Sequence, residues 1–185
     1  MARCGGTGAL LDIALAAGES RADEALSKAE QIRTRHLAAA HELTAGHEQE
    51  ALAGQIDAQL DQLREVVRTL AVLREVSPRM LDVVAAIGEI LSSRIVAASL
   101  AGANVPAEWV DARQVIVTND SHTRAVPLRR ETDDRLRARL CPVLEAGGVP
   151  VLGGFVGATQ DGHTSTLGRG GARYPRAVGR ARDWG

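Results

Sequence analysis

The first part of the sequence has a sustained helical periodicity, and this constrains the fold more than any other feature. Over residues 10–77, apolar side chains return every three or four positions in segments rich in Ala, Leu, Glu, Gln and Arg. Turn-favouring residues interrupt the pattern at 18–20 and 44–46, which predicts a short first helix followed by two longer ones. The clearest apolar stripe comprises Ile56, Leu60, Leu63, Val67, Leu70 and Leu73.

A fourth helix is predicted to begin at Pro78 and to end near Gly102. Proline is favoured in the first turn of a helix, and Ser77 before it is a suitable N-cap. This apolar segment contains Asp82, Glu89 and Arg94, so an amphipathic helix explains it better than a membrane span. We therefore expect no membrane partner.

Beyond residue 105 the pattern alternates between strands and a helix. "AEWVDA" and "QVIVT" are short runs typical of strands, and "TDDRLRARLCPVLEAGG" is helical with acidic residues first and glycines last. "VPVLGGFVGAT" is predicted to be one continuous strand that leads into a glycine-rich turn. The predicted fold class is α/β, with a mostly parallel sheet and a large N-terminal helical region.

Composition excludes several classes of protein. The 185 residues suit one domain, and a net charge of -1 with only 2% aromatic residues argues against nucleic acid as a partner. Cys4 and Cys141 are too few for a disulfide framework or a zinc site, and no leader segment opens the chain. We therefore expect a cytoplasmic protein. Lys28 is the only lysine.

The glycine-rich segment 153–171 is the first candidate site. Its glycines allow close backbone approach to an anion, and Arg169 can form two hydrogen bonds with a carboxylate or phosphate. A loop at the carboxyl end of a strand is where α/β sheets bind ligands. A plain flexible hairpin remains the alternative, because glycine-rich loops are common. The glycines are Gly153, Gly154, Gly157, Gly168, Gly170 and Gly171.

Glu89 and His122 are the other candidates. Glu89 lies close to the apolar stripe of the fourth helix, where a carboxylate needs a partner or a ligand, although a solvated glutamate remains the alternative. His122 follows the turn-forming "NDS", with no carboxylate and nucleophile at an informative spacing, so a catalytic role is not favoured. The spacing of His36, His41 and His47 does not place them on one helical face, and no metal site is predicted.

Several blocks together resemble aspartokinase, a branch of the amino-acid kinase superfamily. The family pattern "LSPRxLD...GExLSxRxxAAxL" matches residues 76–100, and "VPAEWVDARQVxVTND" matches 105–120. The most specific block, "VPVxGGFxGATxDGxTTTLGRGGSDY", matches residues 149–174. Upstream, "GGTGALLDIAL" is similar to the family's "GVTDALLxLA" segment. The resemblance covers most of the chain in one order and implies a partial amino-acid kinase fold.

The resemblance implies an activity and a set of binding residues. Aspartokinases use ATP and Mg²⁺ to phosphorylate the β-carboxylate of L-aspartate, a step toward lysine, threonine and methionine. By this resemblance Arg169 binds a substrate carboxylate and Glu89 binds the α-ammonium group. The remaining residues implied to surround the amino acid are Thr7, Gly154, Phe155, Gly168 and Gly170. No catalytic residue and no metal ligand is assigned in this chain.

Departures from the family pattern qualify these expectations. The family's serine and aspartate after "GRGG" are Ala172 and Arg173 here, and the first strand with its phosphate-binding lysine has no match. We therefore predict a partial catalytic domain over residues 1–171, truncated at both ends, and a divergent Arg-rich tail over 172–185. The ATP site is expected to be incomplete and the isolated chain impaired or inactive.

Two other hypotheses stay open at this point. The chain can be a non-catalytic amino-acid-binding module or subunit partner, which forms homo-oligomers or pairs with a kinase subunit. It can also be a gene remnant that does not fold stably, because loss of a strand from a parallel sheet exposes backbone that the fold normally pairs.

Overall fold

A computed structural model describes residues 5–167 of the protein. Four helices come first, and short strands then alternate with two further helices, which confirms the predicted α/β class with its large N-terminal helical region. In chain order the elements are α1 (Gly5–Gly18), α2 (Ala22–Leu43), α3 (Gly46–Leu73), α4 (Pro78–Gly102), β1 (Ala107–Val110), α5 (Ala112–Val115), β2 (Val117–Thr118), α6 (Arg129–Glu145), β3 (Val149–Leu152), β4 (Val156–Thr159) and β5 (Thr164–Thr166).

Helices α1 to α4 pack around one apolar core. The breaks between α1, α2 and α3 lie where turn-forming residues predicted them, and Ser20 has a positive φ of 65° in the first break. The predicted stripe of α3 is buried from Ile56 to Leu70, but Leu73 is 62% exposed because α3 ends there and Arg74 turns the chain away in a left-handed conformation.

Helix α4 lies at the centre of the molecule and contacts both the helical core and the strands. Ser77 caps it as predicted, since the Ser77 hydroxyl accepts a hydrogen bond of 3.3 Å from the Met80 amide. By length and composition alone α4 is apolar enough to cross a membrane, but half of its most apolar window is buried inside the protein. A core helix of a globular domain has the same properties.

The described strands form two small sheets. β1 and β3 pair in parallel, with Ala107 opposite Val149, while β2 and β4 pair in parallel and β5 pairs with β4 in the antiparallel direction. Two of these three pairings are parallel, as expected. Helix α6 lies between β1 and β3 in the chain, and also between β2 and β4, so it is part of the long crossover connection that each parallel pair requires.

Two of the predicted strands have different boundaries in the structure. The "QVIVT" segment is a strand only at Val117–Thr118, because Asp111 accepts a hydrogen bond of 3.0 Å from the Arg113 amide and so starts the short helix α5. "VPVLGGFVGAT" is two strands that belong to different sheets. The chain bends between them at residues 153–155, where Phe155 adopts a positive φ of 66°.

Candidate functional site

Glu89 lies halfway along α4, directly against the bend between β3 and β4. A Cβ atom placed on Gly153 would be 3.1 Å from the Glu89 carbonyl oxygen and 3.4 Å from the Glu89 Cβ. Only glycine allows the loop backbone to approach the helix backbone this closely without displacement. The same close contact explains why the predicted continuous strand is broken at this position.

The Glu89 carboxylate is half-buried, and among residues 5–167 no cationic side chain pairs with it. Burial raises the pKa of the Glu89 carboxyl above its usual range, because removal from water disfavours the charged form. Within residues 5–167, Glu89 makes no salt bridge and no side-chain hydrogen bond. A partly desolvated carboxylate of this kind is suited to bind a cationic group of a ligand.

Gly154 and Phe155 follow the Gly153 contact and form the rest of the bend. The Phe155 carbonyl accepts a hydrogen bond of 3.0 Å from the Leu167 amide, which joins this bend to the end of β5. A Cβ atom on Gly154 would meet nothing within 4 Å, so the space beside this residue is open. The structure thus brings Glu89, Gly154 and Phe155 to one region.

Thr7 lies in the first turns of α1, which runs antiparallel to α4. The direction follows from two contacts: a Cβ atom on Gly18 would clash with the Val76 side chain, and one on Gly88 would be 2.7 Å from the Leu10 side chain. Leu10 is thus level with Gly88, and Thr7 lies about one helical turn before Leu10. Because the helices are antiparallel, Thr7 is at about the level of the α4 turn that follows Glu89. Its assignment to the aspartate site stays a prediction.

Three of the predicted binding residues, Gly168, Arg169 and Gly170, lie outside the described residues, as does the predicted boundary at 171/172. Leu167, which directly follows β5, is the last described residue. The assignment of these residues to the substrate therefore stays a prediction.

Asp82 is a buried carboxylate that the sequence reasoning missed. Its side chain is 0% exposed and accepts hydrogen bonds from the Thr166 hydroxyl and from the Thr123 amide, the latter at 3.0 and 3.1 Å. It also lies 2.7 Å from Nδ1 of His122. The available signal was an aspartate in an apolar helix, seven residues before Glu89 and so on nearly the same face.

His122 has a carboxylate partner after all, supplied by a distant part of the chain. The predicted turn around it is present, because the Asn119 side chain accepts a hydrogen bond of 2.9 Å from the Val126 amide. Since both Asp82 oxygens already accept other hydrogen bonds, this pair is part of a buried network rather than a free catalytic dyad.

The described residues do not fit a phosphate-binding site for ATP at Glu89. Lys28, the only lysine, lies on α2 and pairs with Glu24 at 2.6 Å, where both side chains are exposed. Over residues 5–167 no group of three or more His, Cys, Asp or Glu side chains is placed to hold a metal ion.

A cavity of about 230 Å³ lies elsewhere, between α3, α4 and β1. Its polar side chains are Glu48, Gln55 and Arg94, and half of its lining residues are alanine. The guanidinium carbon of Arg94 lies 3.6 Å from the centre of the Trp109 ring. Glu89 does not line this cavity.

Comparison with known proteins agrees with this fold. The sequence profile of the amino acid kinase family matches residues 14–174. Lysine-sensitive aspartokinase 3 of Escherichia coli is 32% identical over 123 residues, which cover 64% of this chain and 27% of that protein. The chain therefore spans about a quarter of the length of this relative.

Solved structures show the same relationship. The crystal structure of E. coli aspartokinase III in complex with aspartate and ADP superposes with a TM-score of 0.81 at 28% identity, covering 96% of this chain and 38% of that one. Clostridium acetobutylicum aspartate kinase superposes with a TM-score of 0.63 at 19% identity, covering 91% and 33%, and supports the fold alone.

Proposed function

Since this chain belongs to the amino acid kinase family, in its aspartokinase branch, we propose that the surface around Glu89 binds L-aspartate. In this proposal the chain forms the amino-acid-binding part of an aspartate kinase, which phosphorylates the β-carboxylate with ATP in the biosynthesis of lysine, threonine and methionine. A cytoplasmic location follows from the same proposal. The similar E. coli enzyme was crystallised with aspartate, which supports this ligand.

One observation carries the proposal: Glu89 is a half-buried carboxylate, raised in pKa by burial and without a cationic partner among the described residues. Burial of an unpaired charge is unfavourable, so such a group is expected where a ligand supplies the opposite charge. The α-ammonium group of aspartate is its only cation. Arg169 is proposed to bind one of the two ligand carboxylates through paired hydrogen bonds.

The acceptor chemistry explains why this chain needs no general base. A carboxylate is already ionised at neutral pH, so transfer of a phosphoryl group to it depends on positioning and on neutralisation of charge. Glu89 and Arg169 would supply the positioning. Because Lys28 is engaged in an exposed pair on α2, we propose that the isolated chain binds aspartate but transfers little or no phosphate. Acyl phosphate formation by the purified chain would contradict this.

Replacement of Glu89 by glutamine tests the binding proposal. The isosteric amide cannot neutralise an ammonium group, so we expect the affinity for L-aspartate to fall about tenfold to a hundredfold. Isothermal titration calorimetry measures this directly. Succinate, which lacks the ammonium group, should bind both proteins weakly and equally. Glu65→Gln, an exposed glutamate on α3, is the matched control. Equal affinity of wild type and Glu89→Gln for aspartate would overturn the assignment.

Aspartate binding should also depend on pH through Glu89. The raised pKa means that part of the Glu89 population is protonated at mildly acidic pH in the free protein, whereas the ammonium group favours the ionised form. Binding should therefore release protons, and affinity should fall as the pH falls through this raised pKa. Calorimetry in two buffers with different ionisation enthalpies measures the released protons. Glu89→Gln should abolish the proton release, and its persistence would exclude Glu89 as the source.

A further inference from the structure

We propose that the cavity between α3, α4 and β1 is a ligand site separate from the Glu89 surface, and that it binds a small aliphatic carboxylate. The carboxylate would pair with the edge of the Arg94 guanidinium, and the aliphatic chain would pack against the alanine wall. We call this space the Arg94 cavity. Because Glu89 does not line it, this inference does not depend on the function proposed for Glu89.

The Arg94 guanidinium is held in place with most of its donors unused. Its carbon lies 3.6 Å from the centre of the Trp109 ring, and the Trp109 indole N–H donates a hydrogen bond of 2.9 Å to the Ser93 hydroxyl. Stacking occupies the face of the guanidinium and leaves its N–H edge available. Among the described residues, its one side-chain hydrogen bond is to Gln55 Oε1 at 2.6 Å. The remaining donors suit a carboxylate, which can accept two parallel hydrogen bonds.

The charge of Arg94 has no paired carboxylate within residues 5–167. Asp111 acts on it electrostatically, but the Asp111 carboxylate is bound by Arg113 at 2.6 Å. Burial lowers the pKa of the Arg94 guanidinium from its usual value, because partial removal from water disfavours the charged form. An anionic ligand would stabilise such a partly desolvated cation.

The Arg94 cavity has the size needed for a small organic molecule. Its volume is about 230 Å³, whereas an engineered apolar cavity of about 150 Å³ already holds benzene. The methyl groups of the wall leave room for an aliphatic chain and favour its removal from water. An alanine wall alone does not define a ligand, but together with Arg94 it favours an anion that carries an apolar chain. The apolar lining residues are Ala51, Leu52, Ala97, Ala98, Ala101, Ala107 and Trp109.

Glu48 gives the cavity a preference for one carboxylate over two. Glu48 and Gln55 are seven residues apart on α3, which is about 10 Å along the helix axis, and Gln55 contacts Arg94. The Glu48 carboxylate lies instead beside the end of α4, since a Cβ atom on Gly102 would be 4.0 Å from Glu48 Oε2. The cavity thus has a cation toward one end and an anion toward the other. A second carboxylate on the ligand would be repelled, so dicarboxylates such as L-aspartate are disfavoured.

Titration with hexanoate tests the proposed site. Hexanoate combines one carboxylate with an aliphatic chain, and we expect saturable binding with a Kd of about 1 mM or lower. The NMR resonance of the Trp109 indole N–H reports binding, and a Trp184→Phe variant assigns it because these are the two tryptophans of the chain. Adipate, with a second carboxylate, and hexanol, with none, should each bind at least about tenfold more weakly.

Two variants test the two parts of the site. Arg94→Gln removes the charge and the paired donors, so the affinity for hexanoate should fall at least about tenfold. Ala101→Leu fills the cavity while it keeps Arg94, and it should abolish binding. Arg68→Gln is the matched control, because Arg68 on α3 is 63% exposed, and it should bind hexanoate as wild type does.

The site is refuted if wild type shows no saturable binding of hexanoate, or if Arg94→Gln or Ala101→Leu binds it as tightly as wild type. The dispersion of the NMR spectrum reports whether each variant is folded, and if one of the two is not, the other decides. Glu89→Gln should keep the wild-type affinity for hexanoate. Loss of aspartate binding alone therefore counts against the function proposed for Glu89 and not against the Arg94 cavity.

Discussion

Replacing Asp82 by alanine is expected to lower the free energy of unfolding by about 3 kcal/mol. The substitution leaves the buried Thr166 hydroxyl and the His122 ring without their acceptor, and it opens a small cavity beneath the strands. For a chain of this length the midpoint of thermal unfolding should fall by about 6–12 °C. Thermal and chemical denaturation followed by circular dichroism measure the change.

The control for this prediction is Asp61→Ala. Asp61 lies on α3 with 66% of its side chain exposed, and among the described residues it pairs only with Arg64 one turn away. Its loss should change stability by no more than about 0.5 kcal/mol, because exposed ion pairs are screened by solvent. Equal effects of the two alanine substitutions would show that the Asp82 network does not stabilise the fold.

The Leu60→Ala variant is expected to lose a similar amount, about 3 kcal/mol, in the helical core. Leu60 is 1% exposed and packs at the centre of the cluster formed by α1 to α4. Removal of its side chain forfeits buried apolar contacts and leaves a cavity that the surrounding helices fill only in part. Urea denaturation gives the loss as a shift of the midpoint at constant slope.

Leu73→Ala is the matched control, since it makes the same chemical change in the same helix. Leu73 is 62% exposed at the end of α3, and its truncation should cost no more than about 0.5 kcal/mol. A comparable loss in both variants would mean that the burial pattern of α3 does not describe the protein in solution.

The helices were the most predictable part of the fold. Their boundaries follow from local signals such as the Ser77 cap and the turn residues between α1, α2 and α3, and each was placed within a few residues. The strands were less predictable, because short apolar runs carry no decisive period. Asp111 converted the start of "QVIVT" into a helical turn, and the α4 backbone beside Gly153 broke "VPVLGGFVGAT" in two.

In the candidate site, features that depend on local sequence were predictable, whereas contacts between residues far apart in the sequence were not. Glu89 was identified from its position on α4 and from the family resemblance, and its role in binding stays a prediction. The network of Asp82, His122 and Thr166 was not found, because its members are 40 to 84 positions apart and no short motif joins them. His122 was interpreted as lacking a carboxylate for the same reason.

The sequence by itself determined the helical periodicity, the helix caps, the α/β class and the kinship to aspartokinases, since all of these depend on residue types at fixed local spacings or in ordered blocks. Only the tertiary structure decided that Glu89 is desolvated with no partner among the described residues, that Gly153 lies against the α4 backbone, and that Asp82 joins helix to strand. The physical reason is that solvent exclusion and hydrogen-bond partners depend on which distant segments pack against a residue.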